Sequence, residues 1–79
     1  MGMGMTWNYR VVAIEHDDEI EYGIYEVYYD GDTIIARTQD PVPVVGSGPE
    51  ELAQVFQYML LALNAPILTD KDFAHVEEA

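Results

Sequence analysis

Glu21 to Thr38 reads EYGIYEVYYDGDTIIART, and the parsing of this stretch decides the fold. Tyrosine, valine and isoleucine dominate both halves, as suits pleated strands. Between the halves stands Asp30-Gly31-Asp32, residues that tolerate positive φ and mark a tight hairpin. The stretch predicts one strand over 21–29 and another over 33–38. Upstream, Thr6 to Glu15 (TWNYRVVAIE) predicts a further strand, joined to the hairpin by the polar turn Asp17-Asp18-Glu19. Short turns join antiparallel neighbours, so a three-stranded antiparallel β-meander follows.

Asp40 to Gly48 (DPVPVVGSG) excludes regular structure through its two prolines and two glycines. Ser47 or Gly48 then caps a helix with Pro49 in its first turn and Glu50 and Glu51 near the positive end of its dipole. Leu52, Val55, Phe56, Met59, Leu60 and Leu63 fall on one apolar stripe at helical spacing. Asn64 ends the helix and Pro66 prevents its continuation. The expected architecture is α+β and two-layer, a three-stranded meander packed on one long C-terminal α-helix. Residues 1–5 are expected as a flexible lead, 6–68 as a single domain, and 69–79 as a tail that either forms one helical turn around Phe73 or frays. Ile67 and Leu68 are expected to fold back onto the sheet.

Charge suggests a register. A turn centred on Asp18 and a two-residue turn at Gly31-Asp32 set Arg10, Glu26 and Arg37 side by side across three strands, opposite charges adjoining. Trp7, Tyr9, Val11, Tyr25, Val27, Tyr29, Ile34 and Ala36 then form the core face. One helix covers one side only. Val12, Ile14, Ile24, Tyr28 and Ile35 remain on the other, a candidate dimer face. Tyr58 and Leu61, beside Gln54 and Gln57 on the polar side of the helix, form a smaller apolar anomaly.

The 79 residues carry fifteen Asp and Glu against three Lys and Arg, a formal charge of -12. Such acidity excludes an unaided grip on nucleic-acid phosphates or anionic membranes. The absence of cysteine excludes disulfides and thiolate metal sites. No apolar run approaches the ~20 residues of a membrane span, and a cytoplasmic location is expected. Eight acids fall within residues 15–32, which contain no Lys or Arg. Glu15, Asp17, Asp18, Glu19, Glu21, Glu26, Asp30 and Asp32, with Tyr22 and Tyr28 interleaved, are therefore the candidate contacts for a basic protein partner.

Chemistry-bearing patterns are sparse. His16-Asp17-Asp18-Glu19 sets a histidine beside carboxylates, but on a turn that offers few rigid ligands. His75 stands alone and reads as a surface residue. Ser47 lacks the strand–Ser–helix context of a nucleophile elbow. The glycines around it precede acids that would repel a phosphate. No catalytic residue, cofactor or metal is expected, and the chain is read as non-enzymatic.

The runs TWNYRVV (Thr6 to Val12), YGIYEVYYD (Tyr22 to Asp30) and PEEL (Pro49 to Leu52) resemble a small uncharacterised bacterial protein family of similar length. That resemblance covers residues 6–68 and implies a fold, with no activity attached. More distantly, the strand–hairpin–strand–helix order is similar to the antitoxin domain of the HicB-like family, which covers small basic RNA-cleaving toxins. The central Pro-Gly-Cys-type stretch of that family is missing here, and no functional residue transfers. The expectation is a homodimeric protein-interaction module, antitoxin- or inhibitor-like toward a basic partner. The alternatives are a small-molecule or metal site at a dimer interface, or a nucleic-acid mimic.

Overall fold

The computed structural model describes residues 5–76. The expected flexible lead and the end of the tail fall on 1–4 and 77–79, outside the described residues, and Met5 already belongs to a strand. The chain runs β1 (Met5–His16), β2 (Glu19–Asp30), β3 (Thr33–Arg37), α1 (Pro49–Leu61), a 3-10 turn (Ala62–Asn64), β4 (Leu68–Thr69) and a second 3-10 turn (Asp70–Phe73). The class is α+β, a four-stranded, mixed, curled sheet of order β3-β2-β1-β4 with one helix.

Local chemistry explains the hairpins. Asp17 adopts φ 50 and Gly31 φ 64, so each turn places a residue that tolerates the left-handed region where the chain reverses. β1 pairs β2 along its whole length, from Met5↔Asp30 to His16↔Glu19, leaving only Asp17 and Asp18 in the turn.

That tight turn corrects the expected register. Glu26 lies opposite Tyr9, and Arg10 opposite Tyr25, one residue from the charge-matched arrangement. On the other side Tyr29 pairs Ile34 but Tyr28 pairs Ala36, so Ile35 is the extra residue of a β-bulge. The bulge sets Arg37 opposite Val27 rather than Glu26. A cross-strand charge pair contributes up to about 1 kcal/mol, which is too little to override turn geometry and core packing.

The meander also gains a strand. Leu68 and Thr69 return beside Val12 and Ala13 in parallel, making the sheet mixed instead of purely antiparallel. Two residues are too short to show any hydrophobic period, so this strand leaves no mark in the sequence beyond its apolar Ile67-Leu68 pair. The core cluster is Val12, Tyr25, Val27 and Leu68, with Ile14, Tyr29, Ile34 and Phe73 packed against it. Gly23, opposite Val12, permits this packing: a Cβ there would come within 3.1 Å of Pro41 and 3.2 Å of the Tyr25 ring.

The expected two-layer contact is corrected most. Of α1 only Met59 is buried, followed by Ala62 in the 3-10 turn, with Val55 half-buried. Those three share a narrow face that packs on β1. Leu52, Phe56, Leu60 and Leu63 lie roughly 90° farther around the helix at 100° per residue, and all four are exposed.

Val27→Ala, at a fully buried position, should lower stability by about 2 kcal/mol in urea unfolding. Gly31→Ala should cost about 1 kcal/mol in the same assay by forcing a Cβ into a left-handed conformation.

Candidate functional site

The acidic residues do not form one surface. Glu15, Asp17, Asp18, Glu19 and Glu21 are exposed at the β1–β2 turn, whereas Asp30 and Asp32 are exposed at the β2–β3 turn. The eleven steps of β2 separate these ends by ~36 Å at 3.3 Å per residue. Glu26 sits alone between them and half-buried. Its carboxylate accepts a hydrogen bond from the Tyr28 hydroxyl at 2.5 Å. That bond, then desolvation and the charge of Glu26, raise the Tyr28 phenol above its ordinary value. Tyr22 is exposed near the first turn. His16 pairs with Glu21 at 3.0 Å, and among the described residues no three His, Asp or Glu side chains converge as metal ligands.

Two of the three basic side chains are engaged inside the domain. Arg10 donates from Nη1 to the Tyr29 hydroxyl at 3.0 Å and from Nη2 to the Pro66 carbonyl at 2.7 Å. Tyr29 in turn donates to Asn8 Oδ1 at 2.8 Å. Arg37 stands 5.0 Å from the Tyr25 ring centroid and 5.4 Å from that of Phe73, within cation–π range of both. Its Nη1 donates to the carbonyls of Thr38 and Gln39. His75 also has a partner, contrary to its isolated position in the sequence: Nε2 lies 2.6 Å from the Ile34 carbonyl oxygen. It ties the second 3-10 turn to β3.

The five residues expected as a dimer face are dispersed. Val12 is fully buried in the core and Ile14 packs beside it. The observed pairing puts Ile24 and Tyr28 on the opposite face, with Ile35 in the bulge. All four apart from Val12 are half-buried. The one-residue shift in register accounts for this, since it exchanges the faces of a strand.

Exposed apolar surface gathers instead around α1. Its first flank is the stripe Leu52, Phe56, Leu60 and Leu63, with Phe56 51 % exposed. Its second flank, Tyr58 and Leu61, faces β1 across an open groove of about 390 Å³ lined also by Trp7, Asn8, Tyr9, Arg10 and Ala65. Trp7 and Tyr9 meet edge to face there, centroids 5.2 Å apart at 86°. Tyr58 and Leu61 were legible as an anomaly, whereas Trp7 and Tyr9 were expected in the core. At the start of α1, the Glu51 carboxylate accepts from the Ser47 backbone N–H at 2.7 Å and from the Ser47 hydroxyl. Gly48, the N-cap, supplies no side chain for that purpose.

The bonds from Ser47 hold the Glu51 carboxyl below its ordinary value. A lowered folded value means stability that is present above the unfolded value of 4.5 and is lost as pH falls through the folded one. Glu51→Gln should therefore flatten the acid limb of stability, read as urea midpoints from about pH 7 to about pH 3. Ser47→Ala should flatten it in part. No protein-family model, curated protein or solved structure matches the chain.

Proposed function

We propose that this chain is a non-enzymatic, acidic protein-interaction module that docks by laying the exposed stripe of α1 into an apolar groove of a basic partner. One observation carries the reading: Leu52, Phe56, Leu60 and Leu63 stand in solvent while Met59 and Ala62 face the sheet. Anchors spaced by four, four and three residues match the way an amphipathic helix enters a groove. The flanking chemistry agrees. Glu50 and Glu51 open the helix, and its last turn has no base. With -12 on the whole chain, long-range attraction favours a positively charged partner and speeds its approach. An inhibitor of the antitoxin kind, which covers a basic enzyme, is one form that such a module takes.

The roles of charge and apolar surface separate cleanly. Acids at the two hairpin ends lie far from one another and suit steering, which acts over several ångströms and fades with salt. Affinity resides in desolvated apolar anchors at the centre of a contact. The double variant Phe56→Glu/Leu60→Glu tests this division, because both side chains are exposed and their replacement leaves the core intact. Immobilised wild-type chain should retain a set of proteins at about 50 mM salt and release them at about 0.5 M. The variant, with an unchanged circular dichroism spectrum, should bind the same proteins at least roughly tenfold more weakly. Equal retention by both forms would sink the reading.

A further inference from the structure

We infer that the groove between β1 and the second flank of α1 is filled by a second copy of this chain, whose own β1 adds antiparallel to the open edge of the sheet. This surface is separate from the Leu52–Leu63 stripe, so the inference goes beyond the proposed function and fails or stands independently of it.

The first support is an unguarded strand edge. Among the described residues β4 pairs only with Val12 and Ala13, and the link leading into it lies beside Arg10, so β1 from Met5 to Tyr9 has β2 on one side and no strand on the other. Proteins that keep such edges monomeric place lysine, proline, a bulge or an inward charge along them. Here Met5 to Val11 reads MTWNYRV, with no proline and a single charge. That charge, Arg10, is turned onto Tyr29 and the Pro66 carbonyl and does not guard the edge.

Charge selects the second copy as the occupant. A chain of -12 repels its own kind almost everywhere. Residues 5–14 and 52–69 form an exception, with Arg10 as their only charged side chain. The groove is built from these two segments alone. An antiparallel β1 pair with its two-fold axis near Asn8 points both Asp17-Asp18 turns outward, ~60 Å apart along the strands. The nearer Asp30 residues, level with Met5, lie more than ~20 Å apart. Both spacings exceed the ~8 Å screening length at physiological salt.

Side-chain chemistry is self-complementary about the same axis. Trp7 of one copy meets Tyr9 of the other and the reverse, extending the edge-to-face pair that each copy already makes. Arg10 meets Thr6, and no like charges oppose. Such reciprocity is what an isologous interface requires. The area is also adequate. Trp7, Tyr58 and Leu61 are 51 %, 58 % and 62 % exposed, on the order of 400 Å² together. The paired strand edge adds a comparable amount, approaching the ~800 Å² per partner of a standard stable interface.

Sedimentation equilibrium on the full chain up to about 200 µM should give twice the 8.9 kDa chain mass. Leu61→Glu should return the mass to that of one chain, and Phe56→Glu, on the other flank, should leave the dimer intact. The amides of residues 6–11 that point away from β2 should exchange slowly in the wild type and at least ~100-fold faster in Leu61→Glu. Tyr58→Lys repeats the test from an independent side chain should Leu61→Glu fail to fold. A wild-type chain that stays monomeric at the highest concentration overturns the inference, including the case in which a small molecule fills the groove. A dimer that survives Leu61→Glu and Tyr58→Lys, or is lost with Phe56→Glu alone, overturns it as well. Unchanged partner retention by a monomeric Leu61→Glu leaves the proposed docking stripe standing.

Discussion

The guanidinium of Arg10 joins three parts of the chain that are far apart in sequence. From β1 it reaches the hydroxyl of Tyr29 on β2 and the carbonyl of Pro66 in the link after the helix. A charge-assisted bond to a carbonyl is stronger than a neutral one, and a partly buried guanidinium gives up water to make it. The link is thereby held against β1, and Leu68 follows it into the core beside Val12. Parallel pairing of β4 and the seat of the 3-10 turn on β1 are consistent with that anchor. So is the position of α1, which ends where the link begins.

Fixing α1 at its C-terminal end also fixes its rotation. Ala62 is small and buried, which lets the helix end approach β1 closely with Met59 one turn earlier on the same side. The larger apolar side chains cannot share so narrow a contact and stand to either side of it. Leu52, Phe56, Leu60 and Leu63 take one flank, while Tyr58 and Leu61 take the other. A domain with few buried side chains is marginal alone, and covering either flank adds apolar burial that the isolated fold lacks. Both exposed apolar flanks thus arise from one geometric cause.

Elements, the antiparallel order of the first three strands and the return of Leu68 to the sheet were legible in the sequence, whereas register and the seating of the helix were not, for identifiable reasons. Strand composition and the Asp17-Asp18 and Gly31-Asp32 turns locate both hairpins to within about two residues, because β-branched and aromatic runs and positive-φ residues act locally. The helix start at Pro49 and its end before Pro66 follow from capping and proline sterics, which are local too. Register was missed because it turns on one residue: whether Glu19 belongs to the turn or to β2, and whether Ile35 is paired or bulged. Weak surface charge pairing cannot decide that, whereas burial of Val12 and Val27 can. Periodicity likewise shows that α1 has an apolar side without showing which part of that side meets the sheet. The decisive residue, Ala62, is the least conspicuous apolar one.

Charge acquires a different meaning once the sheet is assembled. Along the sequence the acids of residues 15–32 suggest a single docking face, but the strands carry them to opposite ends of the hairpin. Between those ends the sheet carries Glu26 as its one acid, and Arg10 and Arg37 are engaged by aromatic rings, a hydroxyl and carbonyls. Such an arrangement keeps the exposed apolar flanks of α1 soluble, since two molecules in a random collision meet mostly repulsive surface. Close approach is then restricted to orientations that turn the acidic ends away, or to partners whose charge is positive. On the proposed reading the acidity acts less as a binding patch than as a filter on geometry and partner, and the apolar flanks of α1 are where contact would be made.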